Sequence, residues 1–476
     1  MTNLSRLLPQ PVMRLVGEAA ASMQRQCYVV GGYVRDAILH RHCKDLDFVT
    51  VGSGIELAQE VAKRLGRGTH LTVYRNYGTA QVTKGDLELE FVGARKESYH
   101  RESRNPIVED GTLEDDLSRR DFTINALALS VTPDSYGELI DMFGGVDDIC
   151  DQLIRTPLDP DVTFSDDPLR MMRAIRFATQ LGFTIYPETF DSICRNAERI
   201  EIITPERITT ELQKIMMSPK PSIGWDLLLR SGLLKLIFPE LAAMKGVEVV
   251  KGHGHKDNFY HTLEVLDNVA RASDNVWLRW AALLHDIAKP VTKRWDDAIG
   301  WTFHNHNFVG SKMIPTIFKR LRLPLGAEMR YVQKLVELHM RPIALVEDEV
   351  TDSAVRRLIN YAEEDLADLM TLARADITSK NIAKKQRFLD NFDLVDRKFA
   401  DIIAKDEDAK FRPALNGNEI MEIFGLPQGP EVGYFMKNMT RAAKECEIEN
   451  TREACLAYVL ALGADRGIYP KTPSNP

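Results

Sequence analysis

Two aspartates separated by a single residue are the side chains of this sequence whose spacing most directly suggests chemistry. Asp45 and Asp47 flank Leu46 in the stretch Asp-Leu-Asp-Phe-Val-Thr, whose branched and aromatic residues are typical of a β-strand. Because successive side chains of a strand point to opposite faces, both carboxylates share one face and lie about 6.8 Å apart along the strand. Leu46 and Phe48 point the other way, into the core. Such a carboxylate pair is suited to binding one or two Mg²⁺ ions.

A glycine turn comes shortly before the aspartates. The β-forming residues 28–30 run into Gly31 and Gly32, and a helix is predicted to begin near Val34. Glycine lets backbone N–H groups approach a ligand closely, and the N-terminus of a helix attracts anions. Arg35 adds a positive charge there. The turn therefore predicts a triphosphate site, although a Gly-Gly or an Asp-x-Asp pair alone recurs by chance in many proteins.

The order and spacing of the two motifs resemble the signature of the class II tRNA nucleotidyltransferase and bacterial poly(A) polymerase family. Later motifs extend the resemblance over nearly the whole chain. It implies transfer of nucleotides from triphosphates to an RNA 3′ end, with Asp45 and Asp47 as catalytic ligands of Mg²⁺ and with Gly31, Gly32 and Arg35 holding the nucleotide. The residues that carry it are Gly31-Gly32-x-Val34-Arg35-Asp36 and Asp45-x-Asp47.

The rest of the head is predicted to be α/β, with a helix over 55–65 and strands over 69–73, 78–83 and 87–92. Glu88 and Glu90 share one face of the last strand, so that either could be a third acid. The resemblance favours Glu90, whereas a solvated strand face explains both glutamates equally well. The charged stretch 95–109 lacks periodicity and is predicted to be a mobile loop. In the family, such a loop helps the site change from C to A addition.

Two adjacent arginines follow on a segment predicted to be an apolar helix. Arg119 and Arg120 are costly to bury unless they are paired, and a structural ion pair between Arg120 and the surroundings of Asp121 is one explanation. The resemblance gives another, in which both arginines lie near the triphosphate. It also implies that Asp121 and Asn125 face the ribose and the metal.

A carboxylate and a guanidinium three residues apart begin the next helical region. Asp167 and Arg170 are predicted to share a helix face. Cytosine and adenine both present an exocyclic amine beside a ring-nitrogen acceptor, which matches an aspartate that accepts and an arginine that donates. Uracil or guanine would leave these groups mismatched, at a cost of about 1–3 kcal/mol or more per group. The pair resembles the Glu-Asp-x-x-Arg template motif of the family, with Asp166 in place of the glutamate.

The neck is predicted to continue as helices, with a break at residues 238–240. Arg207, in the segment Thr-Pro-Glu-Arg-Ile, resembles a further nucleotide-binding position of the family, and a solvated helix charge is an equal alternative. The helical stretch 381–476, which is rich in Lys and Arg up to residue 412, resembles the tail with which family members grip tRNA.

A second constellation consists of histidines and aspartates on several predicted helices. A His-Asp pair on an otherwise apolar helix, with another histidine upstream and an aspartate downstream, fits ligands that converge on a transition metal such as Mn²⁺, Ni²⁺, Co²⁺ or Fe²⁺. The order resembles the HD phosphohydrolase domain, and two further histidines resemble its second-metal ligands. The first set is His261, His285, Asp286 and Asp376, and the second is His306 and His339. His304 competes with His306 for its place.

Composition excludes several classes of protein. The chain has 476 residues, 44% of them hydrophobic and 27% charged, which is typical of a globular protein of several domains. We expect no membrane span and no signal peptide, and hence a cytoplasmic location. The six cysteines are scattered at positions 27, 43, 150, 194, 446 and 455 without a Cys-x-x-Cys pair, which argues against a disulfide framework or a zinc ribbon. The net charge of −8 requires local basic patches for any RNA binding.

These observations predict an α+β protein with four regions: a nucleotidyltransferase head (1–158), an α-helical neck (159–243), an HD domain (244–380) and a helical tail (381–476). The predicted reaction is template-free transfer of CMP and AMP from CTP and ATP to a tRNA 3′ end. The alternatives are a poly(A) polymerase, against which the acidic overall charge argues, and an HD hydrolase whose head only binds nucleotides. The sequence leaves open the oligomeric state, the HD substrate and the residues that end addition.

Overall fold

The computed structural model describes residues 3–43, 45–100, 103–250, 253–254, 257–347, 351–378, 381–445 and 447–471. The chain divides into two compact units, the first formed by Met1–Glu349 with Leu358–Asp390 and the second by Val350–Arg357 with Asn391–Pro476. Helices predominate after the N-terminal sheet, as the predicted α+β class requires. In the described part of the chain, no helix combines the length and apolar character needed to cross a membrane.

The head is built on strands β1 Cys27–Val30, β2 Leu46–Thr50, β3 His70–Tyr74, β4 Thr79–Lys84, β5 Leu87–Gly93, β6 Arg95–His100, β7 Ser103–Asp110, β8 Leu127–Ser130 and β9 Leu139–Asp141. Of these described strands, seven form one sheet in the order β3-β4-β5-β2-β1-β8-β9. β2 and β5 run parallel, and their register places Asp47 opposite Glu90. The predicted strand alternation is confirmed, since Leu46 and Phe48 are buried while Asp47 is part-exposed.

Five helices surround this sheet: α1 Pro11–Ser22, α2 Gly32–Ile38, α3 Gly54–Leu65, α4 Leu113–Ser118 and α5 Gly145–Cys150. Helix α3 packs on β4 and β5. Its start is fixed by Ser53, whose side chain accepts a hydrogen bond from the Glu56 N–H. Thr112 and Asp115 form a reciprocal capping box at the start of α4, so that the chain enters the following arginine segment at a fixed angle.

Two predictions for the head were wrong. The stretch 95–109 is not an irregular loop, because β6 and β7 pair with each other as an antiparallel hairpin. Backbone hydrogen bonds hold such a hairpin together, so it does not require the apolar periodicity that the sequence lacks. The segment from Arg119 to Asn125 is not an apolar helix either. Helix α4 ends at Ser118, and a turn follows that leads into a short 3₁₀ segment, Thr123–Asn125.

The neck consists of α6 Pro160–Asp166, α7 Leu169–Leu181, α8 Pro187–Asn196, α9 Pro205–Met216, α10 Ser222–Arg230, α11 Leu233–Ile237 and α12 Pro239–Ala242. A short parallel pair, β10 Leu153–Ile154 and β11 Thr184–Ile185, precedes and follows α7. Phe177 of α7 packs edge-on against Phe122 of the head, with ring centroids 5.9 Å apart. Besides the predicted break near Pro239, the helices break at Gly232, which adopts a left-handed conformation with φ 84°.

The predicted HD region contains β12 Val249–Val250, β13 His253–Gly254, α13 Asn258–Ala272, α14 Val276–Leu284, α15 Lys289–Thr292, β14 Arg294–Asp296, β15 Gly300–Thr302, α16 His306–Arg320, α17 Ala327–Leu338, α18 Met340–Glu347, α19 Asp352–Ala362 and α20 Leu366–Ala375. The sequence also predicts a Gly- and His-rich turn at residues 251–256, most of which lies outside the described residues. His285, His339 and Asp376 come directly after helices rather than within them, since each is a C-cap residue or follows one.

One buried guanidinium joins the neck to the HD region. Arg279 of α14 is 2% exposed and donates to the carbonyls of Met216 and Ser218, at 2.9 and 3.1 Å, just after α9. It also donates to the carbonyls of Ala270 and Ser273 near the end of α13, both at 3.1 Å. Carbonyls at helix ends have no partner within the helix, so this single side chain satisfies the ends of two helices at once.

The remaining helices are α21 Ile382–Lys410, α22 Gly417–Phe424, α23 Pro430–Lys444 and α24 Arg452–Asp465. The second unit has its own small core, in which Phe424 and Phe435 stack with ring centroids 4.8 Å apart. Asn416 caps α22 in a capping box with Glu419, and Gly425 ends it in the left-handed conformation. The helical character predicted for 381–476 is confirmed over the described residues.

Candidate functional site

The candidate magnesium site lies where β2 and β5 run side by side. Asp47 faces Glu90 in the register, and Asp45 stands exposed immediately before β2. Burial raises the pKa of Asp47 to about 6, and the negative charge of Glu90 adds to the increase. Of the two glutamates considered as a third acid, it is therefore Glu90 that lies opposite Asp47. A bound cation would relieve the repulsion between these carboxylates. Carboxylate oxygens are the ligands that Mg²⁺ prefers.

The glycine turn is required by the backbone. Gly31 has φ 70°, and a Cβ at this position would meet Nη1 of Arg120 at 2.9 Å. The guanidinium of Arg35, 8% exposed, donates to both carboxylate oxygens of Asp36 at 2.9 Å and to Oδ1 of Asn125 at 2.7 Å. Arg35 therefore ties the turn to the 3₁₀ segment, which is a positioning role in addition to the phosphate role predicted for it.

A buried carboxylate holds the two adjacent arginines. Asp116 is 0% exposed, and its oxygens accept hydrogen bonds from Arg119 and from Nη2 of Arg120, the latter at 3.1 Å. Both arginines are thus held by ion pairs, but with Asp116 and not with the surroundings of Asp121, which pairs with Arg173. Sequence reasoning missed Asp116, although its position three and four residues before the arginines on a helix was a usable signal. The pairing fixes both guanidinium groups in place.

Two adjoining cavities contain the predicted nucleotide-binding residues. The smaller, of about 150 Å³, is lined by Asp47, Glu90 and the two arginines among other residues. The larger, of about 280 Å³, is lined by Arg119, Arg120, Asp121, Asp167, Leu169, Arg170, Arg173 and Arg207. Because Arg119 and Arg120 line both cavities, a single ligand can extend from the carboxylates to the neck. The excess of arginine suits a polyanion such as a triphosphate.

The predicted base-reading pair faces the larger cavity, but not from one helix. Asp167 ends α6 in an extended conformation, and its carboxylate accepts a hydrogen bond from the N–H of Leu169 at 3.2 Å. Arg170 lies in the first turn of α7 and donates to the carbonyl of Arg119 at 2.6 Å. The prediction that both residues share a helix face was therefore wrong for Asp167. Their proximity results instead from the turn between two helices.

Asp121 links the head to the neck. It is buried, and Nη2 of Arg173 on α7 lies 2.6 Å from its Oδ2, while Nδ2 of Asn125 donates to its Oδ1 at 3.0 Å. Burial opposes ionisation of Asp121, but Arg173 and Asn125 outweigh it and lower its pKa to about 2. Asp121 and Asn125 thus belong to a protein network next to the cavity. Arg173, one helical turn after Arg170, is a further lining residue that the sequence analysis did not select.

The histidines and aspartates of the HD region converge as predicted. Asp286 is 1% exposed and lies at the centre, with Oδ2 at 3.2 Å from Nε2 of His285 and 3.7 Å from Nε2 of His261. Its Oδ1 lies 3.2 Å from Nε2 of His306 and 3.9 Å from Nε2 of His339. Two groups of ligand atoms therefore share one carboxylate, an arrangement that can bridge two metal ions.

Asp376 completes the first group, with Oδ1 at 2.9 Å from Nε2 of His261 and 3.7 Å from Nε2 of His285. The competition between His304 and His306 is resolved in favour of His306, which is buried at the N-terminus of α16 and belongs to the second group, whereas His304 is exposed.

Each histidine of the cluster is held by its other ring nitrogen. Nδ1 of His285, His306 and His339 lies 2.7–2.8 Å from the carbonyl oxygen three residues earlier in the chain. Nδ1 of His261 lies 3.0 Å from Oγ1 of Thr378. A carbonyl partner requires a proton on Nδ1 of the first three rings, so that their Nε2 atoms, which all point to the cluster, are the ones that would coordinate a metal.

The hydrogen bonding of the cluster is what a metal site would show. His285 is 0% exposed, and its Nε2 has no hydrogen-bond partner among the described atoms. Burial disfavours a charged imidazole, yet Asp286 and Asp376 outweigh this and raise the pKa of His285 to about 9. His339, by contrast, has its pKa lowered to about 4 by burial and by His285. Imidazole-rich ligand sets of this kind favour transition metals over Mg²⁺.

Comparison with known proteins identifies the family. Residues 27–155 match the family described as Poly A polymerase head domain, residues 182–245 that described as Probable RNA and SrmB- binding site of polymerase A, and residues 258–381 the HD domain. An A-adding tRNA nucleotidyltransferase of Deinococcus radiodurans is 32% identical over 437 residues, which cover 90% of this chain and 93% of that protein. The chain belongs to the tRNA nucleotidyltransferase family.

Other members agree over the full length. A CC-adding tRNA nucleotidyltransferase of Thermus thermophilus is 30% identical over 472 residues, which cover 95% of this chain and 97% of that protein. The fold matches the Thermotoga maritima CCA-adding enzyme, solved in complex with tRNA, with a TM-score of 0.59 at 22% identity over 97% of this chain and 99% of that one. The protein is accordingly a nucleotidyltransferase that carries an HD domain. The predicted family, fold class and enzyme class are confirmed.

Proposed function

We propose that the head and neck transfer CMP and AMP from CTP and ATP to the 3′ end of a tRNA without a nucleic-acid template. The observation that carries this proposal is the adjoining of the two cavities, with Asp47 and Glu90 at one end and Asp167 and Arg170 at the other. A nucleoside triphosphate has its reactive phosphate at one end and its base at the other. The spacing of functions along the cavities supports such a ligand.

In the transfer, the terminal hydroxyl of the RNA attacks the α-phosphorus and pyrophosphate leaves. Asp45 and Asp47 would hold Mg²⁺, which would lower the pKa of the attacking hydroxyl and neutralise charge on the departing pyrophosphate. Arg119 and Arg120, anchored on Asp116, would bind the triphosphate. The chain's own residues thus contribute position and charge rather than a covalent intermediate.

Base choice would lie with the neck. The carboxylate of Asp167 would accept from the exocyclic amine of cytosine or adenine, and Arg170 would donate to the adjacent ring nitrogen. The hydrogen bond of Arg170 to the Arg119 carbonyl would be broken or shared when a base enters. Arg207, which lines the same cavity, would contribute positive charge.

The test uses transfer RNA ending at the discriminator base, transfer RNA ending in CC, and an unrelated RNA, each with CTP, ATP or both. Sequencing of the 3′ ends gives the product. We expect CCA on the first RNA and a single A on the second. Because matched relatives include A-adding and CC-adding enzymes, addition confined to A on the CC-ended RNA, or to CC, would narrow the function. Long A tracts on the unrelated RNA would favour a poly(A) polymerase.

We also propose that the HD cluster hydrolyses phosphoesters, such as 2′,3′-cyclic phosphates or 2′-phosphates at RNA ends. The observation that supports this is the convergence of imidazole Nε2 atoms on the two oxygens of Asp286. A bound Mn²⁺, Ni²⁺, Co²⁺ or Fe²⁺ would supply an activated water near neutral pH. Replacing both His285 and Asp286 by Ala should abolish metal binding and hydrolysis. Hydrolysis that survives this change, or that the wild type never performs with any of the four metals, would refute the proposal.

The predicted regions would divide the work: the head (1–158) catalyses, the neck (159–243) selects, the HD domain (244–380) hydrolyses and the tail (381–476) binds the tRNA. A cytoplasmic location fits these substrates and stays a prediction.

A further inference from the structure

A two-stranded hairpin lies between two of the candidate metal ligands. Asp286 precedes it and His306 follows it, and both side chains belong to the cluster. Strands β14 and β15 pair antiparallel across the short turn between them. The segment that contains the hairpin therefore starts and ends at the candidate hydrolytic centre.

One face of the hairpin is aromatic and basic. Trp295 and Trp301 are directly opposite each other in the register, with ring centroids 5.3 Å apart. Lys293, two residues before Trp295, shares their face, and its Nζ lies 4.2 Å from the centroid of the Trp301 ring. Both tryptophans are part-exposed. Interleaved aromatic and cationic side chains are the usual means by which proteins bind unpaired nucleobases and their phosphates.

Lys289 connects this face to the cluster. Its Nζ lies 2.5 Å from Oδ2 of Asp286 and 5.7 Å from the centroid of the Phe303 ring. Phe303 follows Trp301 by two residues, and its carbonyl lies 2.8 Å from Nδ1 of His306. Phe303 therefore connects the hairpin to His306, and Lys289 contacts both the Phe303 ring and Asp286.

Charge along the hairpin is uneven. Asp296 and Asp297 are exposed at its tip, and Asp297 accepts a hydrogen bond from Nε1 of Trp295 at 2.8 Å. Lys289 and Lys293 lie towards the cluster. Both lysines are paired with a carboxylate, Lys289 with Asp286 and Lys293 with Glu248, whose Oε1 lies 3.0 Å from Lys293 Nζ. The unevenness therefore comes mainly from the two aspartates, which repel a phosphate at the tip. This distribution suits a ligand with one phosphate group and one flat ring better than a long polyanionic strand that would track past the tip.

Three apolar side chains on or next to the hairpin are exposed: Ile299 in its turn, Val291 on the preceding helix and Val249, which follows Glu248. Val249, Val291 and Ile299 are 66%, 56% and 69% exposed. Exposed apolar residues gathered in one region commonly mark a place where a ligand or partner binds.

We propose that Trp295 and Trp301 bind the base of a nucleoside phosphoester whose phosphate lies at the HD cluster, either as a free nucleotide or as the last nucleotide of an RNA. This inference rests on the hydrolytic function proposed above for the cluster. It makes the tryptophans specificity-determining residues: they separate nucleotide substrates from phosphoesters without a base, and they take no part in bond cleavage.

The test compares the full-length wild type with Trp301→Leu, Trp295→Leu and Trp301→Phe. Substrates are 2′-AMP, a short RNA ending in a 2′,3′-cyclic phosphate, and glycerol 2-phosphate, a phosphoester without a ring. Direct binding of 2′-AMP to the metal-free protein is measured by isothermal titration calorimetry. Trp301→Phe is the matched control, because it keeps an aromatic ring but loses the hydrogen bond that Nε1 of Trp301 donates to the Glu248 carbonyl. Melting temperatures confirm that each variant is folded.

We expect Trp301→Leu to raise KM for 2′-AMP about tenfold, as the loss of one stacking interaction implies, with kcat and the kinetics for glycerol 2-phosphate unchanged. Trp301→Phe should stay within about threefold of wild type. A similar KM increase for the RNA identifies an RNA end as a substrate, and an effect on 2′-AMP alone identifies free nucleotides. Equal losses for all substrates, equal losses in Phe and Leu variants, or unchanged KM and affinity for 2′-AMP in Trp301→Leu would overturn the inference. Binding of 2′-AMP that is weakened in Trp301→Leu, without any hydrolysis by the wild type, would retain the base site and reject the hydrolytic function.

Discussion

Asp47 illustrates how one carboxylate is prepared for a cation. Burial and Glu90 raise its pKa to about 6, so that the protein itself disfavours its charge. A site with this property gains from any bound ion that neutralises the repulsion. The side chain is anchored by a strand whose opposite face is buried, so its position does not depend on the ligand.

Replacing Asp45 or Asp47 by Asn should abolish addition of C and of A alike, by at least about 10³-fold, because the proposed metal ligands are lost while the size of the side chain is kept. Neither residue has a core role, so the melting temperature should fall by no more than a few degrees. Single-turnover incorporation assays check this. Addition of C at near wild-type rate in either variant would contradict the assignment.

Replacing Asp167, which lines the larger cavity, should change base selection rather than the rate of transfer. Asp167→Ala removes the proposed acceptor for the exocyclic amine and leaves the carboxylates of β2 untouched. We expect discrimination against UTP and GTP to fall by about 10- to 100-fold, since each unmatched polar group costs about 1–3 kcal/mol. Incorporation with all four nucleotides measures it. The matched control is Asp166→Ala, and unchanged discrimination in Asp167→Ala would move base selection elsewhere.

Asp121 links pH to stability. Its folded pKa of about 2 lies below the ordinary value of 3.8, so its ionised form stabilises the fold by roughly 2 kcal/mol above about pH 4. That contribution is lost as the pH falls from about 4 to about 2. Asp121→Asn should therefore melt well below the wild type at pH 7, and the difference should narrow on acidification through this range. A constant difference between pH 7 and pH 3 would argue against the ion pair with Arg173.

Sequence reasoning at the residue scale located most of the side chains but not their supports. The spacing of Asp45, Asp47 and the histidines was sufficient because ligands must converge whatever holds them. Asp116 was missed because a supporting carboxylate has no motif of its own. The placement of Asp167 on a helix was wrong because the following Pro168 disfavours helical geometry at the preceding residue.

At the scale of elements, the ends of helices matter more than their middles. His285, His339 and Asp376 all follow the last turn of a helix, where the backbone turns away and a side chain can reach the cluster. Periodicity identifies the helix but not its final residue, so the sequence placed His285 and Asp376 within helices, whereas it placed His339 near the end of a helix, as observed. The hairpin of β6 and β7 was missed because its backbone hydrogen bonds leave no periodic pattern of apolar side chains in the sequence.

Arg279 is the element-scale feature with the clearest energetic consequence. Arg279→Met should lower the free energy of unfolding by roughly 3 kcal/mol or more, because four carbonyls would lose a buried donor. The free energy of unfolding of Arg279→Lys should lie between those of the wild type and Arg279→Met, since one ammonium cannot reach all four acceptors. Thermal unfolding monitored by circular dichroism measures both. Wild-type stability in Arg279→Met would show that water replaces the guanidinium at these carbonyls.

At the scale of the whole molecule, the two candidate sites share one compact unit but no residue. The nucleotide cavities are lined by residues of the head and neck, and the HD cluster by residues after 260. The order of the regions along the chain followed from the motifs. The way in which Arg279 and the neighbouring helices join the neck to the HD region could not be predicted, because it depends on contacts between residues far apart in sequence.

The His285→Ala and Asp286→Ala double variant should keep nucleotide addition within about twofold of the wild type, because the head's carboxylates and arginines are unchanged. Chelation of transition metals in the presence of Mg²⁺ should likewise abolish hydrolysis and leave nucleotide addition unchanged. Parallel assays of addition and of phosphoester hydrolysis measure both activities on one preparation. Loss of addition in a variant that remains folded would show that the two sites are energetically coupled.

The pairing of β2 with β5 also constrains how this protein can change during evolution. Asp47 opposes Glu90, and Phe48 opposes Phe91. Because strand side chains alternate, one residue gained or lost inside β5 would bury its glutamates and expose its apolar residues. Length changes are therefore expected in the turn at residues 85–86, where Gly85 already adopts φ 57°, and not within 87–93. A natural variant with a single-residue gap inside β5 should have lost its metal site while keeping its sheet.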